Sequence, residues 1–300
     1  MELRKQIIHK NREIGKASSQ ITLDDDYNLP DYKPDLTKVI REQGKLVFDE
    51  IRVSSGHVSL KGVLKFHILY RTDLERKKIN QLSGEIPFQE SMSVDGVEEL
   101  HQVRAEGVIE DISVSVINSR KLGIRSLVEF HVVVETPEEE ALLTEITEED
   151  TCELEKEDLT VAELVTQKKD TLRIRQEVPL SSNKPNLDEI LWSAVELRNI
   201  GSHLKDGEIE LSGEALIYVL YAGAGEEEHL QCFETTVPVR GMVDCPECHT
   251  EQIYDIRVCL AQADMEIRPD EDGEDRNLLL EMVLNLEIFL WKEESITTIS

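Results

Sequence analysis

A stretch of fifteen residues written twice constrains this chain more than any other feature. Gly56 to Tyr70 reads GHVSLKGVLKFHILY, and Gly207 to Tyr221, 151 positions further on, reads GEIELSGEALIYVLY. Five positions are identical without a gap: Gly56/Gly207, Leu60/Leu211, Gly62/Gly213, Leu69/Leu220 and Tyr70/Tyr221. Apolar residues alternate in the same phase in both copies, the period of a half-buried strand. Val58, Leu60, Leu64, Phe66, Ile68 and Tyr70 share one face, as do Ile209, Leu211, Ala215, Ile217, Val219 and Tyr221. The glycines inside the stretch, Gly62 and Gly213, predict a close backbone approach or a bulge.

The echo extends beyond this strand. KPDLTKVI (Lys33 to Ile40) returns as KPNLDEIL (Lys184 to Leu191), and Pro87 and Pro238 stand at the same spacing, which predicts edge positions in a sheet. Asp35 and Asn186 read as N-caps ahead of apolar residues at i, i+3 and i+4, so each copy is expected to carry one short helix plugging the end of a sandwich. Asp206-Gly207 predicts a tight hairpin, with positive φ at both turn residues, and the first copy has Ser54-Ser55-Gly56 at the same place. One further strand follows in each copy, around 78–88 and 230–239. A last hairpin closes each copy, with arms at 103–117 and 122–134, then 253–267 and 278–291. Its final arm is rich in helix formers, yet Leu278, Leu280, Met282, Leu284, Leu286, Ile288 and Leu290 alternate strictly, which reads as strand.

The expected fold is all-β, two tandem β-sandwich or barrel-like domains, each of six or seven strands with one short helix. A first domain spans 1–135, with a polar helix over its first 16 residues, and a second spans 167–294. Between them, 136–166 forms an acidic linker. The run from Glu135 to Glu163 holds 13 acidic residues and one basic, Lys156, so it is expected to repel itself and to be mobile or locally helical. A short helix is expected to begin at Thr160, with Glu163 at capping-box spacing.

Composition narrows the function classes. Thirty-three Lys and Arg against 62 Asp and Glu leave a formal charge of −29, which argues against nucleic acid and anionic membrane surfaces and favours basic partners. No run of 18 apolar residues occurs, and the N-terminus lacks the apolar core of an export signal, so no membrane insertion is expected. The cysteines, Cys152, Cys232, Cys245, Cys248 and Cys259, all lie outside the first copy, which points to a reducing, cytoplasmic compartment. No GxxxxGK[ST] loop, dinucleotide fingerprint or GxSxG elbow is present, and no catalytic residue is assigned. A carbohydrate-processing enzyme is the weakest of three readings, and it needs two facing carboxylates in a deep pocket.

One chemical motif remains, Cys245-Pro-Glu-Cys248-His249. Cys245 and Cys248 have zinc-knuckle spacing, and His249, His229, Cys232 and Cys259 are the candidates to complete a tetrahedral site. The alternative is a plain inter-strand loop, since the same positions in the first copy are Val94-Asp95-Gly96-Val97. The haem-attachment reading of CxxCH needs an exported protein and does not fit.

The lead-in QITLDDDYNLPDYKPDLTKVI, the strand GVLKFHILY, IPFQE (Ile86 to Glu90) and INSRKL (Ile117 to Leu122) together resemble the SPOCS domain of endospore-forming bacteria. The second copy resembles it through VPLSSNKPNLDEIL, SGEALIYVLY and CPEC. The resemblance implies a non-enzymatic scaffold or interaction protein, like the spore-coat morphogenetic proteins of that family. It places the chain in the mother-cell cytoplasm, at the forespore surface. Implied partners are other spore-coat morphogenetic proteins, among them the coat's basement-layer ATPase, reached through a C-terminal LysM module not visible before Ser300. The chain is then expected to be the N-terminal part of a longer protein. The runner-up is a metal- or ligand-binding module built on the Cys245/Cys248 loop, with zinc as the ion.

Overall fold

The computed structural model describes residues 2–73, 78–147, 155–225 and 229–299. It is all-β, and no helix occurs among the described residues. The first copy contributes β1 (Glu2–Asn28), β2 (Lys38–Ser54), β3 (His57–Arg71), β4 (Ile79–Ser93), β5 (Gln102–Asn118) and β6 (Lys121–Thr147). The second contributes β7 (Lys156–Pro179), β8 (Leu187–Lys205), β9 (Glu208–Gly223), β10 (His229–Asp244), β11 (Ile253–Pro269) and β12 (Asp275–Ile299). Each copy makes two three-stranded sheets: β2-β3-β4 and β1-β6-β5 in the first, β8-β9-β10 and β7-β12-β11 in the second. The repeated stretch is the central strand of its sheet in both copies.

By packing, the chain divides into two compact units: residues 12–136 with 221–230, and residues 1–11 with 137–220 and 231–300. In the unit containing most of the first copy, the inward residues of β3 meet those of β6. Leu60, Leu64, Ile68 and Tyr70 share one core with Leu122, Ile124, Val128 and Phe130, all fully buried. Phe48, Phe88 and Phe130 fill one end, with ring centroids 5.0 to 5.9 Å apart. Pairs of this kind add to the burial of apolar area that holds such a sandwich together. In the other unit Ile209, Leu211 and Ile217 of β9 and Leu280, Leu284 and Leu290 of β12 are buried in the same alternating fashion, so the leucine-rich final arm is indeed strand.

The hairpin between β2 and β3 pairs Ser54 with His57 across a two-residue turn. Only the second turn residue has positive φ, 76° at Gly56 and 83° at Gly207. The expectation of positive φ at both is therefore corrected. The turn does not stand alone. Gly56 N–H donates to the Val97 carbonyl and Val94 N–H donates to the Gly56 carbonyl, so the loop after β4 sets the turn's conformation.

Gly62 faces a register shift between Phe48 and Glu50 of β2, the bulge that its type predicts. A Cβ there would collide with the Val47 carbonyl oxygen and lie 2.8 Å from the Phe88 ring. A Cβ on Gly213 would lie 3.0 Å from the Ile200 Cα and 3.1 Å from the Arg198 carbonyl, and the adjacent Asn199 has a φ of 52°. Pro87 pairs with Val63 on β4, an outer strand of its sheet, and Pro238 lies on the outer strand β10.

Four expected helices are absent among the described residues. Residues 2–16 belong to β1, because the helical stripe there was thin and alternation takes over at Ala17, Ile21 and Leu23, which pack on the core. KPDL and KPNL form loops, not helices. Leu36 and Leu187 are 2% exposed and plug the sandwich ends, but the Leu36 and Thr37 amides are spent on the carbonyls of Ser119 and Arg71. Residues 136–147 and 156–166, expected to be mobile or locally helical, continue β6 and β7 as strands, and no helix begins at Thr160. Within that unit, basic groups of the first eleven residues relieve the self-repulsion. Arg4 reaches Glu145 at 3.0 Å, Lys10 reaches Glu138 at 3.6 Å, and His9 contacts Glu163 at 3.0 Å and Glu139 at 3.5 Å. The hydrogen bond to Glu163, then the charge of Glu139, raise the His9 pKa. The middle of the acidic run, with Cys152, lies outside the described residues.

Gly62→Ala is expected to destabilise the first copy by about 1–3 kcal/mol, and Gly213→Ala the second, because backbone atoms must move. Gly201→Ala on β8, where the nearest atom to a new Cβ is 4.0 Å away, is expected to be near neutral in the same urea denaturation experiment.

Candidate functional site

The CPEC loop connects β10 to β11 and closes over the β8–β9 turn. Cys245 N–H donates to the Gly207 carbonyl at 2.9 Å, and Gly207 N–H donates to the Cys248 carbonyl at 3.0 Å. These are the two bonds that Val94, Gly56 and Val97 make in the first copy, at 2.9 and 2.8 Å. Val94 and Val97 are buried, and both cysteines are fully buried in their place. The local fold thus asks for two small apolar side chains here, a demand a neutral thiol meets as well as valine does.

Burial, then the hydrogen bond and charge of Cys245, push the Cys248 thiol up to about 12, against a smaller opposing effect of the Lys168 ammonium. Lys168 Nζ donates to the Asp244 carbonyl at 2.8 Å, and Cys245 Sγ lies 3.8 Å from a Glu247 carboxylate oxygen. The structure brings Cys245 and Cys248 together and turns the exposed His249 toward Asp206, Nδ1 to Oδ1 3.6 Å. Cys232 and Cys259 are exposed, and the His229 side chain is outside the described residues. Among the described residues no group of three or more His, Cys, Asp or Glu side chains is arranged to hold a metal ion.

A second constellation was not read from the sequence as a site. Arg120, between β5 and β6, binds four groups of the LPDYKPD segment. Nη1 donates to the Lys33 carbonyl at 2.6 Å and to Asp35 Oδ1 at 3.1 Å, and Nη2 to the carbonyls of Pro30 at 3.0 Å and Leu29 at 3.3 Å. Arg276 repeats this in the second copy, with Nη1 on the Lys184 carbonyl at 3.0 Å and Asn186 Oδ1 at 2.7 Å, and Nη2 on the Ser181 carbonyl at 2.9 Å. Asp35 and Asn186 therefore serve as acceptors for an arginine and not as helix caps. The available signal was the arginine ahead of each core strand. It is masked in the second copy by a longer connection, PDEDGED, that breaks the 151-residue spacing.

On the outer face of the first copy a shallow concavity of about 470 Å³ crosses β2, β3 and β4. Gln43, Lys45, Lys65, His67, Ser83 and Glu85 surround it, with His67 Nδ1 2.8 Å from Ser83 Oγ. It is open, and it carries one carboxylate, not the facing pair that glycoside hydrolysis needs.

Native-state alkylation is expected to modify Cys232 and Cys259 at mildly alkaline pH and to spare Cys245 and Cys248 until the chain unfolds, as mass spectrometry of the labelled peptides will show. The double substitution Cys245→Val/Cys248→Val, which copies the first repeat, is expected to cost less than about 1.5 kcal/mol in a thermal melt. A larger loss in metal-replete than in metal-free buffer is the signature of a structural ion.

No helix among the described residues is long and apolar enough to cross a membrane. No curated protein and no solved structure matches the chain. The family profile described as "SipL, SPOCS domain" matches twice, over residues 35–117 and 186–268. The two matches begin at Asp35 and Asn186, the acceptors of the two arginines, and run through both sheets of each copy. Together they cover more than half of the 300 residues, and the chain belongs to the SipL SPOCS-domain family as two tandem copies.

Proposed function

We propose that this chain is a non-enzymatic scaffold or interaction protein of spore coat or spore envelope assembly, acting in the mother-cell cytoplasm at the forespore surface. The observation that carries this reading is the double match to the SipL SPOCS domain, which implies a sporulation role. The layout of the polar groups supports it. The two arginine constellations spend their donors on backbone carbonyls, and the two buried thiols replace valines, so these recurring features hold loops in place and leave no activated nucleophile. The partners proposed are spore-coat morphogenetic proteins, including the basement-layer ATPase, engaged through a C-terminal module beyond this sequence.

A second reading, a zinc- or ligand-binding module, draws on the adjacency of Cys245 and Cys248, which supplies two ligands of the four that a structural zinc site uses. Metal analysis of protein purified without chelator separates the two. Stoichiometric zinc supports the module, and its absence removes it.

The scaffold reading is tested in a sporulating endospore former that expresses a fluorescent fusion of the gene's full product. The fusion is expected to collect at the forespore surface, and deletion of the gene to leave the coat detached. A fusion spread evenly through the mother cell, with a normal coat in the deletion strain, overturns it.

A further inference from the structure

The two copies carry opposite charge on the same face. Of the 33 Lys and Arg, 20 fall in residues 1–135 against 22 of the 62 Asp and Glu, so this part has a formal charge of −2 and the remainder carries −27. The contrast is sharpest on the repeated strand. β3 contains Lys61, Lys65, Arg71 and two histidines and no acidic residue, whereas β9 contains Glu208, Glu210 and Glu214 and no basic one.

Neighbouring strands follow the pattern in part, since Lys205 of β8 reaches Glu210 at 2.8 Å and Glu50 of β2 reaches Arg52 at 2.6 Å. On β2, Lys45 is directly opposite Lys65 in the ladder, and Glu85 on β4 is opposite Lys65 on its other side. Like charges placed opposite one another are unfavourable in a sheet. At positions 151 residues on, Lys45 becomes Glu196, Val63 becomes Glu214 and Ser83 becomes Glu234. These three carboxylates gather around one cation. Arg198 bonds Glu196 at 3.0 Å and feels the charges of Glu234 and Glu214. Lys45 thus has a sign-reversed equivalent in Glu196, and where Lys65 is replaced by Leu216 the carboxylate of Glu214 stands two residues before it on the same strand.

We propose that the outer face of β2-β3-β4 in one chain binds the outer face of β8-β9-β10 in a second copy of this chain. The occupant is argued from complementarity. Both faces are three-stranded with the same strand order because they are copies of one repeat, and the repeated strand at the centre of one carries lysines and that of the other glutamates. Three strands about 4.8 Å apart and 15 residues long present about 700 Å², close to the roughly 800 Å² per partner of a standard specific interface. Val47 and Val63 lie among the lysines, and Leu216 and Tyr218 among the glutamates, which gives apolar contact between the charges. The pairing joins different surfaces of the two chains, so it either closes into a two-fold dimer or continues as a chain of protomers.

The experiment is sedimentation velocity on the wild type and on two charge reversals, Lys45→Glu/Lys65→Glu and Glu196→Lys/Glu214→Lys. Each protein is run over a range of micromolar concentrations at about 0.05 M and about 0.5 M salt, where the Debye length falls from roughly 14 Å to roughly 4 Å. The wild type is expected to self-associate at low salt and to dissociate at high salt. Either reversal is expected to weaken the association at least about tenfold, with the thermal midpoint unchanged as a check on folding. Adding Glu196→Lys/Glu214→Lys to Lys45→Glu/Lys65→Glu in one chain is expected to restore it. A wild type that stays monomeric, an association indifferent to salt, or reversals that associate as the wild type does overturn the proposal. None of these outcomes bears on recruitment to the forespore, which the localisation experiment reads separately.

Discussion

Everything in each copy depends on one strand that cannot slide. β3 and β9 lie in the middle of their sheets, and every second side chain along them is buried, so a shift of one residue would carry the whole apolar set to the solvent side. The bulge opposite Gly62 pins that register from within, because only a residue without a Cβ fits against the Val47 carbonyl. The loop after β4 pins it from the end, by bonding both polar groups of Gly56. With β3 held at two points, β2 and β4 inherit their registers. The opposing sheet then packs against a face whose pattern is already determined.

Much of this was visible in the sequence because it is local and periodic. Alternation along β3, β9 and β12, the offset of 151, the hairpin and the edge prolines all follow from nearest-neighbour rules. The misreadings share one cause. Leu36/Val39/Ile40 matches a helical stripe, and Asp35 matches a cap, but the amides and carbonyls of that segment are claimed by Ser119, Arg71 and Arg120, residues 30 to 90 positions away in sequence. The acidic run was read as self-repelling because its neutralising groups, Arg4, His9 and Lys10, lie more than 120 positions before it. Helix propensity and charge patterning see the segment itself and not the partners that tertiary structure brings to it.

The site residues were legible in part. That Cys245 and Cys248 adjoin was implied by their spacing. Their burial was not read from the sequence, although the valines at the equivalent positions of the first copy carried the signal. The turning of His249 toward Asp206 was not legible, because the loop's path is set by its hydrogen bonds to Gly207. Divergence between the copies is most informative where the fold does not require it: thiols for valines inside, and glutamates for Lys45, Val63 and Ser83 outside.

Arg120 and Arg276 give the fold a further property. A guanidinium stays protonated throughout the range in which proteins work, and most of its partners here are backbone carbonyls, which do not titrate. The closure of each sandwich end over Leu36 and Leu187 is therefore made largely of groups whose state does not change with acidity. A chain with 62 carboxylates can gain or lose protons at its surface over a wide range while the ends of its cores stay shut. The surface charge is free to vary, in solution and in evolution, with little consequence for the sandwiches beneath it.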